Sequence, residues 1–361
     1  MGLDERIEEL EEKLEETPVN KATETERARL KSQIAKLKEE KQQKQKSTGD
    51  TSGYAVRKRG DATVALVGFP SVGKSSLLNS LTNTEVDTGA YEFTTLEVHP
   101  GMMKHRGANI QILDVPGLIG GAADGRGDGT QVLSVVRNAD LVLIVLDPGE
   151  MRYDEITSEL YDAGIRIDTE PPRMKIEKKG RGGINISATA DLEMEEDTVR
   201  QLMKENGYTN AEVIIREEMD VDRFIDGLME NRKYVPSVTA VNKADTLQDG
   251  RREELEQEYD LLVSAETGEG IEELKDQVFK SMDLIRIYMK EKGEEPDRDD
   301  PLILREGATV ADVLEALPGD MVERFKDAKV TGESAQFPEQ KVGQDHELAD
   351  KDVVRLNLKR I

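Results

Sequence analysis

The sequence predicts an α/β fold built around an open parallel sheet, with smaller helical and α+β parts attached. Short apolar runs at 63–67, 141–147 and 238–241 have the continuous hydrophobicity of strands that are buried on both faces. Glycine-rich or polar motifs follow such runs, at the strand ends where open α/β sheets bind their ligands. Alternating runs at 285–289 and 353–358 indicate a second sheet near the C-terminus.

The first sixty residues predict a helical hairpin and a linker. Apolar residues recur at steps of three and four over 3–16 and again over 30–37, with a break at 17–20. We therefore expect a hairpin over residues 1–46, whose narrow apolar seam must pack on another part of the chain. Residues 47–60 have the polar, glycine-containing composition of a linker.

The stretch 68–75 has the form G-x-x-x-x-G-K-S, and it stands between a predicted strand and a predicted helix. Glycines let backbone N–H groups approach phosphate oxygens, and the helix N-terminus adds a partial positive charge. Lys74 should reach the β- and γ-phosphates and the Ser75 hydroxyl should bind Mg²⁺. The predicted phosphate-binding residues are Gly68, Phe69, Pro70, Ser71, Val72, Gly73, Lys74, Ser75 and Ser76.

A D-x-x-G motif ends the run 109–114 and predicts the opposite side of the phosphate site. Asp114 would hold Mg²⁺ through water, and the Gly117 amide would contact the γ-phosphate. Thr95, or failing that Thr94, would close on the metal from the preceding loop, so the predicted catalytic set is Lys74, Thr95 and Gly117. The motif also supplies Val115, Pro116 and Leu118 as binding residues. The glycine-rich stretch 120–129 predicts a nucleotide-sensitive switch loop, with a plain flexible loop as the alternative.

The N-K-x-D motif after 238–241 predicts guanine as the base. A carboxylate at Asp245 accepts hydrogen bonds from guanine N1–H and the exocyclic amine, whereas adenine leaves it without these partners. Asn242 would brace the P-loop, the Lys243 stem would cover the base plane, and the Ala265 amide would bond guanine O6. The predicted base-binding residues are Asn242, Lys243, Ala244, Asp245, Ser264, Ala265 and Glu266.

The 128 residues between Asp114 and Asn242 exceed what a minimal domain of this kind needs. We therefore expect the nucleotide domain at 61–165 and 237–283, with an inserted α+β subdomain at 166–236. Two strand-like runs, 173–177 and 183–187, flank a basic glycine turn that either contacts RNA phosphates or forms a hairpin tip. The β–β–α–β order over 284–361, with a capping box at 309–312, predicts a β-grasp domain.

Composition limits the class of protein. The 361 residues carry a net charge of −25 and no cysteine, which excludes disulfides and cysteine-bound zinc. No apolar run reaches the roughly 18 residues of a membrane span, and no signal peptide is visible, so we expect a cytoplasmic protein without membrane or DNA partners. The acidity fits an ordinary acidic protein or a salt-rich cytoplasm. Residues 27–60 contain 11 basic and 3 acidic residues. This basic segment is either a contact for a polyanion or a solvated helix face followed by a flexible linker.

Taken together, these motifs resemble the developmentally regulated GTP-binding (DRG) proteins, in their archaeal form, within the Obg-like branch of translation-associated GTPases. The resemblance rests on 68–75, 91–96, 114–119, 242–245 and 264–268, on parts of the insertion, and on 343–354, which is similar to the end of a TGS domain. It implies a P-loop GTPase domain with a C-terminal TGS domain, cytoplasmic GTP hydrolysis with Mg²⁺, and ribosome or RNA partners. Leu118 replaces the water-orienting glutamine of Ras-like enzymes, which implies slow hydrolysis. Some relatives use K⁺ held by an asparagine where this chain has Ser71, so K⁺ dependence stays open.

Two functional hypotheses follow. The first is a slow GTPase that acts as a ribosome- or RNA-associated translational switch. The alternative is a nucleotide-gated RNA-binding or scaffold protein with negligible hydrolysis, which Leu118 and the basic segment favour. Asp245 argues against an ATPase or a kinase. The sequence does not predict a particular protein partner or the oligomeric state.

Overall fold

A computed structural model of the chain describes residues 2–47, 59–82, 98–115, 129–319 and 321–359. The chain divides into two compact units, one of residues 1–55 and 160–234 and the other of residues 56–159 and 235–361. Within the described residues, no helix is long and apolar enough to cross a bilayer.

The helices are α1 (Leu3–Glu16), α2 (Glu24–Ser47), α3 (Lys74–Leu81), α4 (Gly129–Asn138), α5 (Tyr153–Asp162), α6 (Glu196–Glu205), α7 (Val221–Leu228), α8 (Asp249–Glu258), α9 (Ile271–Ser281), α10 (Val310–Ala316) and α11 (Met321–Arg324). The strands are β1 (Ala62–Val67), β2 (His99–His105), β3 (Ala108–Asp114), β4 (Leu141–Leu146), β5 (Ile165–Ile167), β6 (Met174–Lys178), β7 (Ile184–Ala188), β8 (Ala211–Ile215), β9 (Lys233–Val235), β10 (Ser237–Val241), β11 (Leu261–Leu262), β12 (Leu284–Met289), β13 (Leu302–Arg305), β14 (Phe325–Thr331), β15 (Gln340–Val342) and β16 (Val353–Leu358).

The main sheet has six strands in the order β11-β10-β4-β1-β3-β2. All neighbours pair in parallel except β2, which runs antiparallel to β3 at the edge. Every residue of β1 and β4 is buried, as their unbroken apolar runs predicted. Because the strands are parallel, β1, β3, β10 and β11 all end at one edge, and each is followed there by a predicted motif.

The C-terminal part forms a five-stranded sheet in the order β13-β12-β16-β14-β15, and α10 packs on it. The predicted capping box is confirmed, since the Asp312 carboxylate accepts hydrogen bonds from the backbone N–H and the hydroxyl of Thr309 at 2.7 and 2.8 Å. The predicted β-grasp fold is confirmed, but the sequence reasoning missed β14 and β15. Strand β14 carries several charged residues and β15 has only three residues, so the hydrophobic pattern did not identify them.

In the other unit, α1 and α2 form the expected hairpin, and α2 packs on α6 and α7 of the insertion. The hairpin-tip interpretation of the basic turn is wrong. Strand β8 lies between β6 and β7, antiparallel to the first and parallel to the second. The turn therefore crosses the start of β8, where Lys179 N donates to Asn210 O at 2.9 Å and Ala211 N donates to Gly183 O at 3.0 Å.

The basic face of α2 forms ion pairs inside its own unit. Lys31 lies 2.6 Å from Asp222 of α7, and Arg29 lies 3.2 Å from Glu205 of α6. Lys38 lies 2.9 Å from Glu11 of α1; burial acts to lower the pKa of its ammonium, but Asp162 and Glu11 raise it overall. The first two pairs dock the hairpin on the insertion, and the third joins the two helices of the hairpin, so these three basic side chains are engaged by carboxylates.

Candidate nucleotide-binding site

The P-loop joins β1 to α3, and two of its glycines have no room for a side chain. A Cβ on Gly68 would lie 2.5 Å from the carbonyl oxygen of Val145, and one on Gly73 would lie 2.3 Å from the side-chain nitrogen Nδ2 of Asn242. Gly73 also has a φ of +90°, which L side chains rarely adopt. Ser71 adopts a φ of +69° without being glycine, a strain typical of functional loops. The loop is therefore shaped by its close approach to the backbone of β4 at Gly68 and to the side chain of Asn242 at Gly73.

Lys74 begins α3 and is 8% exposed. Its ammonium donates to the carbonyl oxygens of Gly68 at 2.9 Å and Phe69 at 3.1 Å, so it lies across the loop that would hold phosphates. Burial lowers the pKa of this ammonium, and the attraction of Asp114 opposes that shift. A buried cation whose hydrogen bonds within the described residues go to carbonyl oxygens suits an anionic ligand that would satisfy its charge.

The tertiary structure brings together two of the three predicted magnesium ligands. The Ser75 hydroxyl, at the start of α3, donates to Asp114 Oδ2, at the end of β3, over 2.6 Å. Hydroxyl and carboxylate oxygens are the hard donors that Mg²⁺ prefers, so this pair fits the ion. Thr95, its alternative Thr94, and the motif residues Pro116, Gly117 and Leu118 lie outside the described residues, as does most of the predicted switch loop.

Two hydrogen bonds join the two loops that carry the predicted base-binding residues. Asn242 donates to Val72 O at 3.0 Å and accepts from the Ala265 amide at 3.1 Å, so it links the P-loop to the second base loop. The buried Ser264 hydroxyl donates to Asp245 Oδ1 at 2.5 Å. Asp245 itself is exposed, which leaves its second oxygen open to a ligand.

Lys243 has a φ of +61°, and its side chain reaches from the N-K-x-D loop to the P-loop and to the residue after β4. Its ammonium lies 3.0 Å from the carbonyl oxygen of Ser71 and 2.5 Å from Asp147 Oδ2. Burial acts to raise the pKa of Asp147, but hydrogen bonds from Lys243 and from the Gly149 amide lower it overall. Sequence reasoning missed Asp147, although its position directly after β4 at the ligand edge was a usable signal.

The predicted residues differ in what they can offer a ligand. The solvent-exposed ones are Pro70, Ser71, Ser75, Ser76, Asp245 and Glu266. Apolar residues whose side chains are buried can contribute only backbone groups, and these are Phe69, Val72, Val115 and Ala244. Sequence reasoning also missed Arg152, which stacks 3.6 Å above the ring of Phe69, and Ser80, which donates to Ala265 O at 2.9 Å.

The sheet, the P-loop and the N-K-x-D group define a P-loop GTP-binding protein. Family models match in three consecutive stretches, described as 50S ribosome-binding GTPase over 63–179, the C-terminal region of the MMR_HSR1 domain over 181–284, and the TGS domain over 285–357.

Relatives match along the whole chain. An uncharacterized GTP-binding protein of Halobacterium salinarum is 49% identical, with all of both chains covered. Developmentally-regulated GTP-binding protein 2 homolog of Dictyostelium discoideum is 39% identical over 99% of both chains, and human developmentally-regulated GTP-binding protein 2 is 37% identical over the same shares. The chain belongs to the family of developmentally regulated GTP-binding proteins, which confirms the predicted resemblance.

Solved structures overlap only partly with the chain. The G-domain of FeoB from Methanococcus jannaschii has a TM-score of 0.33 at 18% identity, covering 61% of this chain and 97% of that one. Era from Aquifex aeolicus bound to GDP and aluminium fluoride also has a TM-score of 0.33, at 19% identity, covering 75% of this chain and 72% of that one.

Proposed function

We propose that this chain slowly hydrolyses GTP to GDP and phosphate with Mg²⁺ and acts as a ribosome- or RNA-associated switch. The observation that carries the proposal is the convergence of three chemistries at one sheet edge. A buried lysine lies across the P-loop, a Ser75–Asp114 oxygen pair lies beside it, and Asn242 links the P-loop to the Asp245–Ser264 pair.

The chain's own groups divide the work of phosphoryl transfer. Lys74 and the P-loop N–H groups hold the β- and γ-phosphates, and the Gly117 amide contacts the γ-phosphate. Ser75, Thr95 and, through water, Asp114 would hold Mg²⁺, which would neutralise charge on the phosphate oxygens. Leu118 has no polar atom with which to orient the attacking water, so the intrinsic rate is low.

Guanine selection rests on Asp245 and the Ala265 amide. The oxygen of Asp245 that Ser264 leaves free accepts from the base edge, and the Ala265 amide turns from Asn242 to guanine O6. The Lys243 ammonium is held by the Ser71 carbonyl oxygen and by Asp147 Oδ2, which supports the proposal that the lysine stem covers the base plane. Adenine would leave the carboxylate unpaired, and that penalty provides the selectivity.

The direct test is phosphate release from GTP under multiple turnover, in K⁺ and in Na⁺ buffers. Lys74→Ala and Ser75→Asn should abolish turnover, because they remove the phosphate-binding cation and a magnesium ligand. Lys104→Ala, which changes an exposed lysine on β2, serves as the matched control and should leave it intact. Unchanged turnover in the first two variants would refute the GTPase proposal.

The ribosome part of the proposal is supported by the family description that matches 63–179. Co-sedimentation of the full chain with ribosomes, in GDP and in a non-hydrolysable GTP analogue, tests it. Binding that requires the triphosphate form is the expected result. Equal binding in both nucleotides would contradict a switch. The family and the cysteine-free, acidic sequence support a cytoplasmic location for this role.

A second candidate function is a nucleotide-gated RNA-binding or scaffold protein with negligible hydrolysis. Leu118, at the position of the water-orienting residue, favours it. Turnover that stays near zero in K⁺ and with ribosomes present, while nucleotide still controls RNA binding, would select this candidate over the GTPase switch.

A further inference from the structure

Arg252 of α8 bridges the two loops that carry the predicted base-binding residues. Its Nη2 donates to the carbonyl oxygen of Ala244 at 3.1 Å, and its Nη1 donates to Glu269 Oε1 at 2.7 Å. Arg252 belongs to none of the five nucleotide motifs, and its side chain is 29% exposed.

Each end of this bridge lies next to a group that would read the base. Ala244 directly precedes Asp245, and its amide donates to Val263 O at 2.9 Å. The carbonyl oxygen of Glu269 accepts from the Ser264 amide at 2.9 Å and so closes the loop that contains Ala265. The guanidinium therefore adds a bridge between the N-K-x-D loop and the loop of Ser264 and Ala265, beside the direct hydrogen bonds of Asp245 and Asn242.

That spacing matters because guanine is read at two places on one edge. The Asp245 carboxylate meets N1–H and the exocyclic amine, while the Ala265 amide meets O6, so both fit at once only when the loops hold their separation. Loops that must be ordered on binding cost affinity, and a preformed pair avoids that cost. Arginine suits the role because its planar fork presents two donors in fixed directions.

We propose that Arg252 is a positioning residue that sets guanine specificity by holding the two base loops at their working distance. The inference rests on the proposed GTP-binding function and adds to it a residue outside the motifs. It predicts that loss of Arg252 weakens recognition of the base edge more than it weakens the grip on the phosphates.

The test compares GDP with inosine diphosphate, which lacks the exocyclic amine, by displacement of a fluorescent GDP analogue from the full chain. Arg252→Ala should weaken GDP binding about fivefold to tenfold, within the range of one ordinary hydrogen bond, and inosine diphosphate binding less. The preference for GDP over inosine diphosphate therefore shrinks. Arg252→Lys, which can reach one of the two acceptors, should fall between wild type and alanine.

Two further variants separate positioning from general stability. Arg251→Ala removes a neighbouring arginine of the same helix, which pairs with Glu254 at 2.6 Å, and should leave both affinities at wild-type values. Glu269→Gln weakens the other end of the bridge, so its effect on GDP should be less than additive with that of Arg252→Ala.

Equal losses for GDP and inosine diphosphate in Arg252→Ala, together with a lower melting temperature without nucleotide, would mean a merely structural role and would overturn the inference. Unchanged GDP affinity in that variant would overturn it as well. If the wild-type chain itself fails to bind GDP, the proposed function fails first, and the two failures are thereby distinguished.

Discussion

An Asp245→Asn variant should lose affinity for guanine nucleotides and gain affinity for xanthine nucleotides. The Ser264 hydroxyl holds Oδ1 at 2.5 Å, so the asparagine oxygen takes that position and its NH₂ group faces the base. An NH₂ group repels the N1–H and amine donors of guanine. Xanthine carries a carbonyl in place of the amine, and that carbonyl accepts the new donor.

The size of the loss follows from the two hydrogen bonds to charge that guanine would make. Each contributes about 1.5 to 3 kcal/mol, so both together give roughly 3 to 6 kcal/mol. Asp245 is exposed, and Ser264 keeps its partner in the variant, so we expect the lower end, about 100-fold in GDP affinity.

Displacement of a fluorescent GDP analogue by GDP and by xanthosine diphosphate measures both affinities. Asp249→Asn, an exposed carboxylate at the start of α8, is the matched control and should change neither. A GDP loss below tenfold, with no gain for xanthosine diphosphate, would show that Asp245 does not read the base.

Three other predictions follow, two on the nucleotide site and one on the inserted subdomain. Gly73→Ala should abolish nucleotide binding, because φ at this position is +90° and a Cβ would lie 2.3 Å from Asn242 Nδ2. Gly180→Ala, where a Cβ would have no neighbour within 4 Å, should bind nucleotide normally in the same titration. The pKa of Asp147 is lower in the folded protein than in the unfolded chain, where it is about 4, so the carboxylate stabilises the fold above that pH. This contribution is lost as the pH falls through the folded-state pKa. In urea unfolding, Asp147→Asn should therefore make the free energy of unfolding depend less on pH in the acid range. Asp226→Ala should lower the free energy of unfolding by roughly 3 to 5 kcal/mol, because the buried guanidinium groups of Arg166 and Arg232 lose their shared carboxylate. Asp222→Ala, at a half-exposed pair, should lower it by less than about 1 kcal/mol. Equal losses in the two variants would contradict the burial argument.

Much of the fold and of the candidate site follows from local sequence. A phosphate cradle needs glycine at Gly68 and Gly73 and a lysine at a fixed offset, so the P-loop is visible as a short pattern. The fully apolar runs of β1 and β4 predict buried parallel strands, and the parallel direction places the motifs that follow β1, β3, β10 and β11 at one edge. The capping box at Thr309 is likewise complete within four residues.

Other features depend on partners far apart in the chain. Asp147 and Arg252 belong to no motif, and only tertiary structure brings Asp147 to Lys243 and Arg252 to Ala244 and Glu269. The sequence also could not predict that β8 separates β6 from β7, since strand order depends on packing across the sheet.

The basic face of α2 shows the same division between sequence and tertiary structure. Its periodicity and charge are properties of the sequence, and they predicted a helix with a narrow seam. Its use was decided by the acidic residues Glu205 and Asp222, more than 170 positions away, which pair with Arg29 and Lys31. Local patterns determine which chemistry a segment carries, whereas contacts between distant segments decide which surfaces are covered and which groups are held in place.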